Sequence, residues 1–181
     1  PGDTIYTYHT IDMKMQAHVS DIGWQDKENN GKIIGTTGKN KGIEAYSLSI
    51  QKENLGITYT SCINGKWQAD VSDGQMSGTT GQAKHIEAIK IQLTGREKEN
   101  YHVYYRVHVS NIGWLDWTAD GAPAGTKHYK YPIEAIQVEV IPDETDGKRK
   151  ISSTYVREQL NEGKVEKVAE LLGEYFSTTG E

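Results

Sequence analysis

A single cysteine, Cys62, stands among 181 residues, so the chain forms no intrachain disulfide and no cysteine-based metal site, and cysteine usage leaves the redox compartment open. No apolar run approaches the roughly 20 residues that a membrane-spanning helix needs, so no membrane insertion is expected. Basic residues are in deficit: 20 Lys and Arg face 25 Asp and Glu, for a formal charge of -5. Affinity for nucleic acid rests on clustered cations that displace counterions from phosphates. Nucleic acid is therefore not an expected partner. The chain starts at Pro1 with neither Met nor a signal-peptide pattern, which reads as a trimmed or mature piece. Phe occurs once, whereas there are 19 Gly, 11 Tyr and 4 Trp, enough for one compact domain with an appendage.

The glycines and tryptophans are periodic. DIGWQDKENNGKIIGT at 21–36, NGKWQADVSDGQMSGT at 64–79 and NIGWLDWTADGAPAGT at 111–126 are versions of one stretch. Trp24, Trp67 and Trp114 are followed at +7 by Gly31, Gly74 and Gly121, and at +11 by Gly35, Gly78 and Gly125. Thr36, Thr79 and Thr126 come next. At +20 lie Glu44, Glu87 and Glu134, each within Ile-Glu-Ala. The Trp-to-Trp spacings are 43 and 47 residues, and the extra four fall in the polar connection TGREKEN.

YHVYYRVHV and IEAIQVEV alternate with the period of half-buried strands, and the Gly-rich stretches between them read as turns and short strands, about four strands per unit. The short polar turn from IQLTG into YHVYYRVHV predicts that the last strand of one unit pairs with the first of the next. A unit this small cannot bury its own apolar face. The prediction is an all-β domain over 1–141, with repeats at about 6–50, 57–93 and 101–141 in a pseudo-threefold ring. A β-trefoil-like form and a three-sheet β-prism both satisfy the pattern. Residues 142–150 read as a linker. Residues 151–181 read as a short helical appendage, with Val156 and Leu160 on one face of a first helix and Val165, Val168, Ala169 and Leu172 on a second.

With GW, Gly-Thr and IEA recurring three times, residues 6–141 resemble the clostridial hydrophobic repeats with a central tryptophan, known as ChW repeats. Repeat 2 has Gly65-Lys66 where the others have Ile-Gly, and Ser61-Cys62 where they have His-Val; repeat 3 has Lys127 where the others continue Thr-Thr-Gly. The resemblance implies a secreted or cell-surface protein of a Gram-positive bacterium that binds surface polysaccharide or peptidoglycan or mediates adhesion. The tail KISSTYVREQLNEGKVEKVAELLGEYF is similar to the end of the FMN adenylyltransferase domain of bacterial riboflavin kinase. That likeness implies nucleotide contacts at Ser152, Ser153, Thr154 and Arg157, although residues 1–150 carry no counterpart of that family's nucleotide loop.

Strict phase places Trp24, Trp67 and Trp114 in the core, with sugar stacking as the alternative. Trp117 occurs in one unit only, where Lys27 and Asp70 stand in the others, and reads as an exposed ligand contact. The glutamates of Ile-Glu-Ala read as acceptors of turn N–H groups. Asp26 and Asp116 after the tryptophans, and Asp73 and Asp120 before the turn glycines, are candidates for sugar hydroxyls or Ca²⁺, against the favoured ordinary role in turns. His18 and His108 are equivalent but Ser61 aligns with them in repeat 2, and no metal-ligand spacing is present, so neither metal nor cofactor is expected. The same residues recur three times, whereas catalysis gathers unlike groups. A non-catalytic glycan-binding module is the expectation, and a protein-binding adhesion or structural module the alternative.

Overall fold

A computed structural model of the chain describes residues 11–127 and 129–143. The expected helical tail and the linker from 144 onward lie outside the described residues, while Pro142, expected in the linker, belongs to the last strand. Each repeat supplies five strands rather than four. Repeat 1 holds β1 (Met13–Val19), β2 (Gly23–Trp24), β3 (Glu28–Asn29), β4 (Ile33–Gly35) and β5 (Ile43–Ile50). Repeat 2 holds β6 (Gly56–Ile63), β7 (Lys66–Trp67), β8 (Val71–Ser72), β9 (Ser77–Gly78) and β10 (Ala88–Thr94). Repeat 3 holds β11 (Tyr101–Val109), β12 (Gly113–Trp114), β13 (Thr118–Ala119), β14 (Ala124–Gly125) and β15 (Ile133–Pro142).

The strands form three sheets, the three-sheet form of the pseudo-threefold domain. In each, the first and last strands of one repeat pair antiparallel: β1 with β5, β6 with β10, β11 with β15. Two short strands of the same repeat flank the first. The fifth strand comes from elsewhere: β9 of repeat 2 pairs β5, β14 of repeat 3 pairs β10, and β4 of repeat 1 pairs β15. The ring is thus closed by a cyclic exchange of short strands.

That arrangement corrects the expected pairing of successive long strands. Both edges of β10 are taken, one by β6 and the other by β14, so β11 has no edge on which to add. The polar connection before β11 turns the chain out of one sheet and into the next.

Alternation decides which side chains meet at the centre. Met13, Met15, Ala17 and Val19 of β1 point inward, while Lys14, Gln16 and His18 lie on the outer face. One contiguous core draws on all three repeats. Ile43, Ile86 and Ile133 are fully buried within it, and their backbones are linked: Ile86 N–H donates to Ile43 O at 3.0 Å and Ile133 N–H to Ile86 O at 2.8 Å. Each such isoleucine contributes about 1.5–3 kcal/mol by leaving water.

Tyrosines fill out the same core and cross between repeats. The Tyr59 hydroxyl donates to Leu48 O at 3.1 Å, and the Tyr105 hydroxyl accepts from Ile91 N–H at 3.2 Å while donating to Ala122 O. Burial pushes the Tyr105 phenol up to about 12 and raises Tyr46 as well. These phenols stay protonated, as donors to buried carbonyls must.

The exchanged strands explain the glycines at +11. Thr36, Thr79 and Thr126 donate their N–H groups to the carbonyls of Glu134, Glu44 and Glu87 of the neighbouring repeat at 2.9–3.0 Å. The preceding Gly35, Gly78 and Gly125 have φ of +91, +103 and +130°, and a Cβ on any of them would lie 2.3 Å from the same carbonyl oxygen. No side chain fits that approach. By contrast Gly23, with φ of +92°, has open space where its Cβ would point. We expect Gly78→Ala to cost about 3 kcal/mol or more, from positive φ plus a backbone clash, and Gly23→Ala only about 1–2 kcal/mol. Chemical denaturation of the two variants measures the difference, and equal losses would refute the seam as the cause.

Candidate functional site

The outer face of each sheet carries the repeated tryptophan, and pairing register shows which residues correspond. His18 pairs with Trp24, Cys62 with Trp67 and His108 with Trp114. Cys62, not Ser61, therefore holds the histidine position in repeat 2. The mismatch arises because the turn before Trp67 is one residue shorter. Asn64 and Gly65, both at positive φ, make a two-residue hairpin turn there, whereas the other repeats use a longer turn with Asp21 or Asn111 at positive φ. In repeats 1 and 3 a bulge skips Glu44 and Glu134 in the ladder.

The three glutamates are buried, at 8, 1 and 5% exposure for Glu44, Glu87 and Glu134. Glu44 Oε1 lies 3.1 Å from His18 Nδ1 and Glu134 Oε1 lies 3.1 Å from His108 Nδ1, close but off the axis of a hydrogen bond. Glu87 accepts the turn N–H of Gly65 at 3.0 Å. The turn-acceptor role thus holds for Glu87, and a histidine supplants it in the other two repeats.

The tryptophans do not occupy the core. Trp24 is 43% exposed and Trp67 and Trp114 are half-buried on the outer faces. The core has no room for an indole where the strands already interdigitate Tyr, Ile, Leu and Met. Trp117, expected at the surface, is 4% exposed, a correction in the opposite direction. The Arg106 guanidinium explains it, lying 4.4 Å from the Trp114 ring centre and 4.9 Å from that of Trp117, so that cation and indoles cover one another. Arg106 also donates from Nε to Gln137 Oε1 at 3.0 Å. Burial lowers its pKa.

The other two faces differ. In repeat 2 an open cleft of about 300 Å³ lies beside Trp67, lined by Thr58, Thr60, Gln68, Asp70, Lys90 and Gln92 with Gly121 of repeat 3. Position by position, repeat 3 fills this cleft with Tyr104 for Thr58, Arg106 for Thr60, Trp117 for Asp70 and Glu139 for Gln92, all of them buried. In repeat 1 the matching outer positions are Lys14, Gln16, Lys27 and Ser49, and Trp24 meets the edge of His18, ring centres 5.3 Å apart at 79°. Gln16 Nε2 donates to Gln25 O at 2.7 Å, and Gln25 Oε1 accepts from Gly35 N–H at 2.8 Å.

Asp73 and Asp120 serve the fold. Asp73 Oδ1 accepts from Ile50 N–H at 3.2 Å, and Asp120 Oδ1 from Val103 N–H at 3.0 Å. Asp26 and Asp116 lie at the surface after their tryptophans. The structure thus gathers Trp67, Asp70 and Lys90 at one cleft, and sets Trp24 with Asp26 and Trp114 with Asp116 on other sheets. Among the described residues no group of His, Cys, Asp and Glu could hold a metal ion. Ser152, Ser153, Thr154 and Arg157 lie outside the described residues. Sequence reading missed Lys90, Gln92 and Arg106, because only strand register shows that they flank a tryptophan. Lys127 carried a signal, as the break in Gly-Thr-Thr-Gly.

Two titrating groups sit on the repeat 3 face. The Asp120 carboxylate, 2.7 Å from His102 Nδ1, raises the His102 pKa, with Asp143 adding to it. Below its ordinary pKa this pairing is complete, and it is lost as pH rises through the raised value. Burial pushes the Glu139 carboxyl up from 4.5 to about 8, and its Oε1 has no hydrogen-bond partner among the described residues. The folded state therefore holds a proton that the unfolded chain releases, so this group favours folding less and less as pH climbs from about 4.5 to about 8. We expect Glu139→Gln to gain stability over the parent across that window and to match it in acid. Denaturation midpoints at a series of pH values report it, and a pH-independent difference would be the contrary result. Acrylamide quenching in single-Trp variants should reach Trp24 readily and Trp117 hardly at all.

A family model described as Clostridial hydrophobic W matches residues 18–52, 53–95 and 108–142. No curated protein and no solved structure matches the chain significantly. None of these comparisons supports the likeness of the tail to an adenylyltransferase. The matched segments take in more than half of the chain, each spanning one tryptophan-centred repeat, and the chain belongs to the clostridial hydrophobic W family.

Proposed function

We propose that the chain is a non-catalytic module of the surface of a Gram-positive bacterium, or of a protein secreted by one, that binds glycan or cell-wall polymer. The observation that carries this reading is the open indole face of Trp24, 43% exposed beside His18 on an outer sheet face rich in Gln, Ser and Lys. A flat aromatic surface packs against the C–H groups of a pyranose while neighbouring amides and hydroxyls meet its hydroxyl groups. Repetition suits a polymer, because weak sites on one rigid body act together on a repeating ligand. Asp26 is a candidate contact with Trp24, and Trp67 with its cleft forms a second site. Trp114 and Asp116 belong to a third face, where Arg106 already covers the indole.

A protein-binding adhesion module is the second reading. Ile22 and Ile112, at equivalent turn tips, are 48% and 51% exposed, and protein partners favour such apolar projections. Pull-down on purified cell walls and a glycan array separate the readings. We expect binding on at least one, weakened about tenfold by Trp24→Ala as befits an aromatic anchor, with the melting temperature nearly unchanged because the ring is exposed. Failure on both, or retention that is indifferent to Trp24→Ala and competing sugars, would favour protein recognition.

A further inference from the structure

Lys127 breaks the repeat, and its place in the fold shows what the break brings about. Strand β14 of repeat 3 is the strand lent to the sheet of repeat 2, so residues just after it arrive at the Trp67 cleft. Lys127 Nζ lies 5.8 Å from the Trp67 ring centre, and Lys90 Nζ, from β10, lies 4.1 Å from it. Two cations from different repeats thus converge on one indole at the rim of an open cleft of about 300 Å³. Neither repeat 1 nor repeat 3 has this pair. Ser47 and Gln137 stand where Lys90 does, and Thr37 and Thr80 where Lys127 does.

Neither ammonium is in an ion pair or hydrogen bond among the described residues. A cation resting on an indole keeps donors free for a further partner. Each ammonium so placed can take an oxyanion as that partner. Asp70 on the cleft lining and the buried Glu87 carboxylate nearby offset the two lysines in charge, and Asp70 adds an acceptor for a hydroxyl group. Thr58, Gln68 and Gln92 supply further neutral hydrogen-bonding groups, the mixture that a sugar bearing an acidic substituent requires.

We propose that the repeat 2 cleft is an acid-sugar subsite, in which Lys90 and Lys127 hold a carboxylate or phosphate group of a glycan while Trp67 and the cleft amides hold its body. The proposal rests on the glycan-binding reading and gives its second site a ligand class distinct from the neutral surface at Trp24. Phosphate and carboxylate share the chemistry of a small oxyanion accepting charged N–H donors, and the two sources are told apart by the choice of polymer.

The test is affinity electrophoresis of the full chain against three immobilised polymers: polygalacturonate, a glycerol-phosphate polymer and an uncharged glucan. We expect retardation by at least one anionic polymer, falling as salt rises, and about tenfold weaker for Lys90→Ser combined with Lys127→Thr, which import the residues of repeat 1. The anionic polymer that retards the chain identifies the acidic group. The salt dependence of the parent protein keeps the test decisive should the double variant fold poorly. Anionic retardation that is absent, or indifferent to salt and to both lysines, overturns the subsite. If the glucan is still bound in that case, the glycan-binding reading survives, and if no polymer is bound, both fall.

Discussion

The structure depends on one contact made three times: the N–H of a threonine donated to the carbonyl of a glutamate in the neighbouring repeat, with a glycine pressed against that carbonyl. A single hydrogen bond of this kind contributes only about 0.5–1.5 kcal/mol net. Its weight comes from what it positions. The approach lets β4, β9 and β14 complete sheets that would otherwise end in open edges, and it brings the three central isoleucines together. The same glutamates turn their carboxylates outward, to His18 and His108 or to the Gly65 N–H beneath the tryptophans. Ring closure and the support of the outer surface therefore share a residue.

On that common frame the three outer faces have diverged. The frame needs small residues in the seam and apolar ones inside, and leaves the outward positions of the long strands unconstrained. Repeat 1 keeps Lys14, Gln16, Lys27 and Ser49 there and leaves Trp24 uncovered. Repeat 2 keeps a cleft and sets lysines over Trp67. Repeat 3 fills the corresponding space with Tyr104, Arg106, Trp117 and Glu139, leaving a carboxyl whose pKa burial raises to about 8. Threefold backbone symmetry thus coexists with three chemically different surfaces.

Sequence reading reached the all-β class, the three repeats and the closed ring, because period-2 alternation and the Trp–Gly–Gly–Glu phase follow directly from packing. It missed the order of pairing, since nothing local in IQLTG or YHVYYRVHV reveals that both edges of β10 are already taken. It also misplaced the tryptophans. Invariant phase reports an equivalent position and says nothing of whether that position faces inward or outward. Trp117 was misread for a related reason: its burial depends on Arg106, eleven residues away and on the adjoining strand. Ser61 was set against the histidines because the Asn64-Gly65 turn is shorter, a deletion that register makes plain and counting from the tryptophan conceals.

The cyclic loan of strands carries a consequence for how such a chain comes into being. Repeat 1 lends β4 to β15 of repeat 3, so the earliest and latest parts of the ring are neighbours in one sheet. A ribosome that has released only two repeats has produced a body with one strand unhoused and one sheet incomplete. Completion waits for the third repeat, which both houses the strand lent by the first and supplies the one that the second lacks.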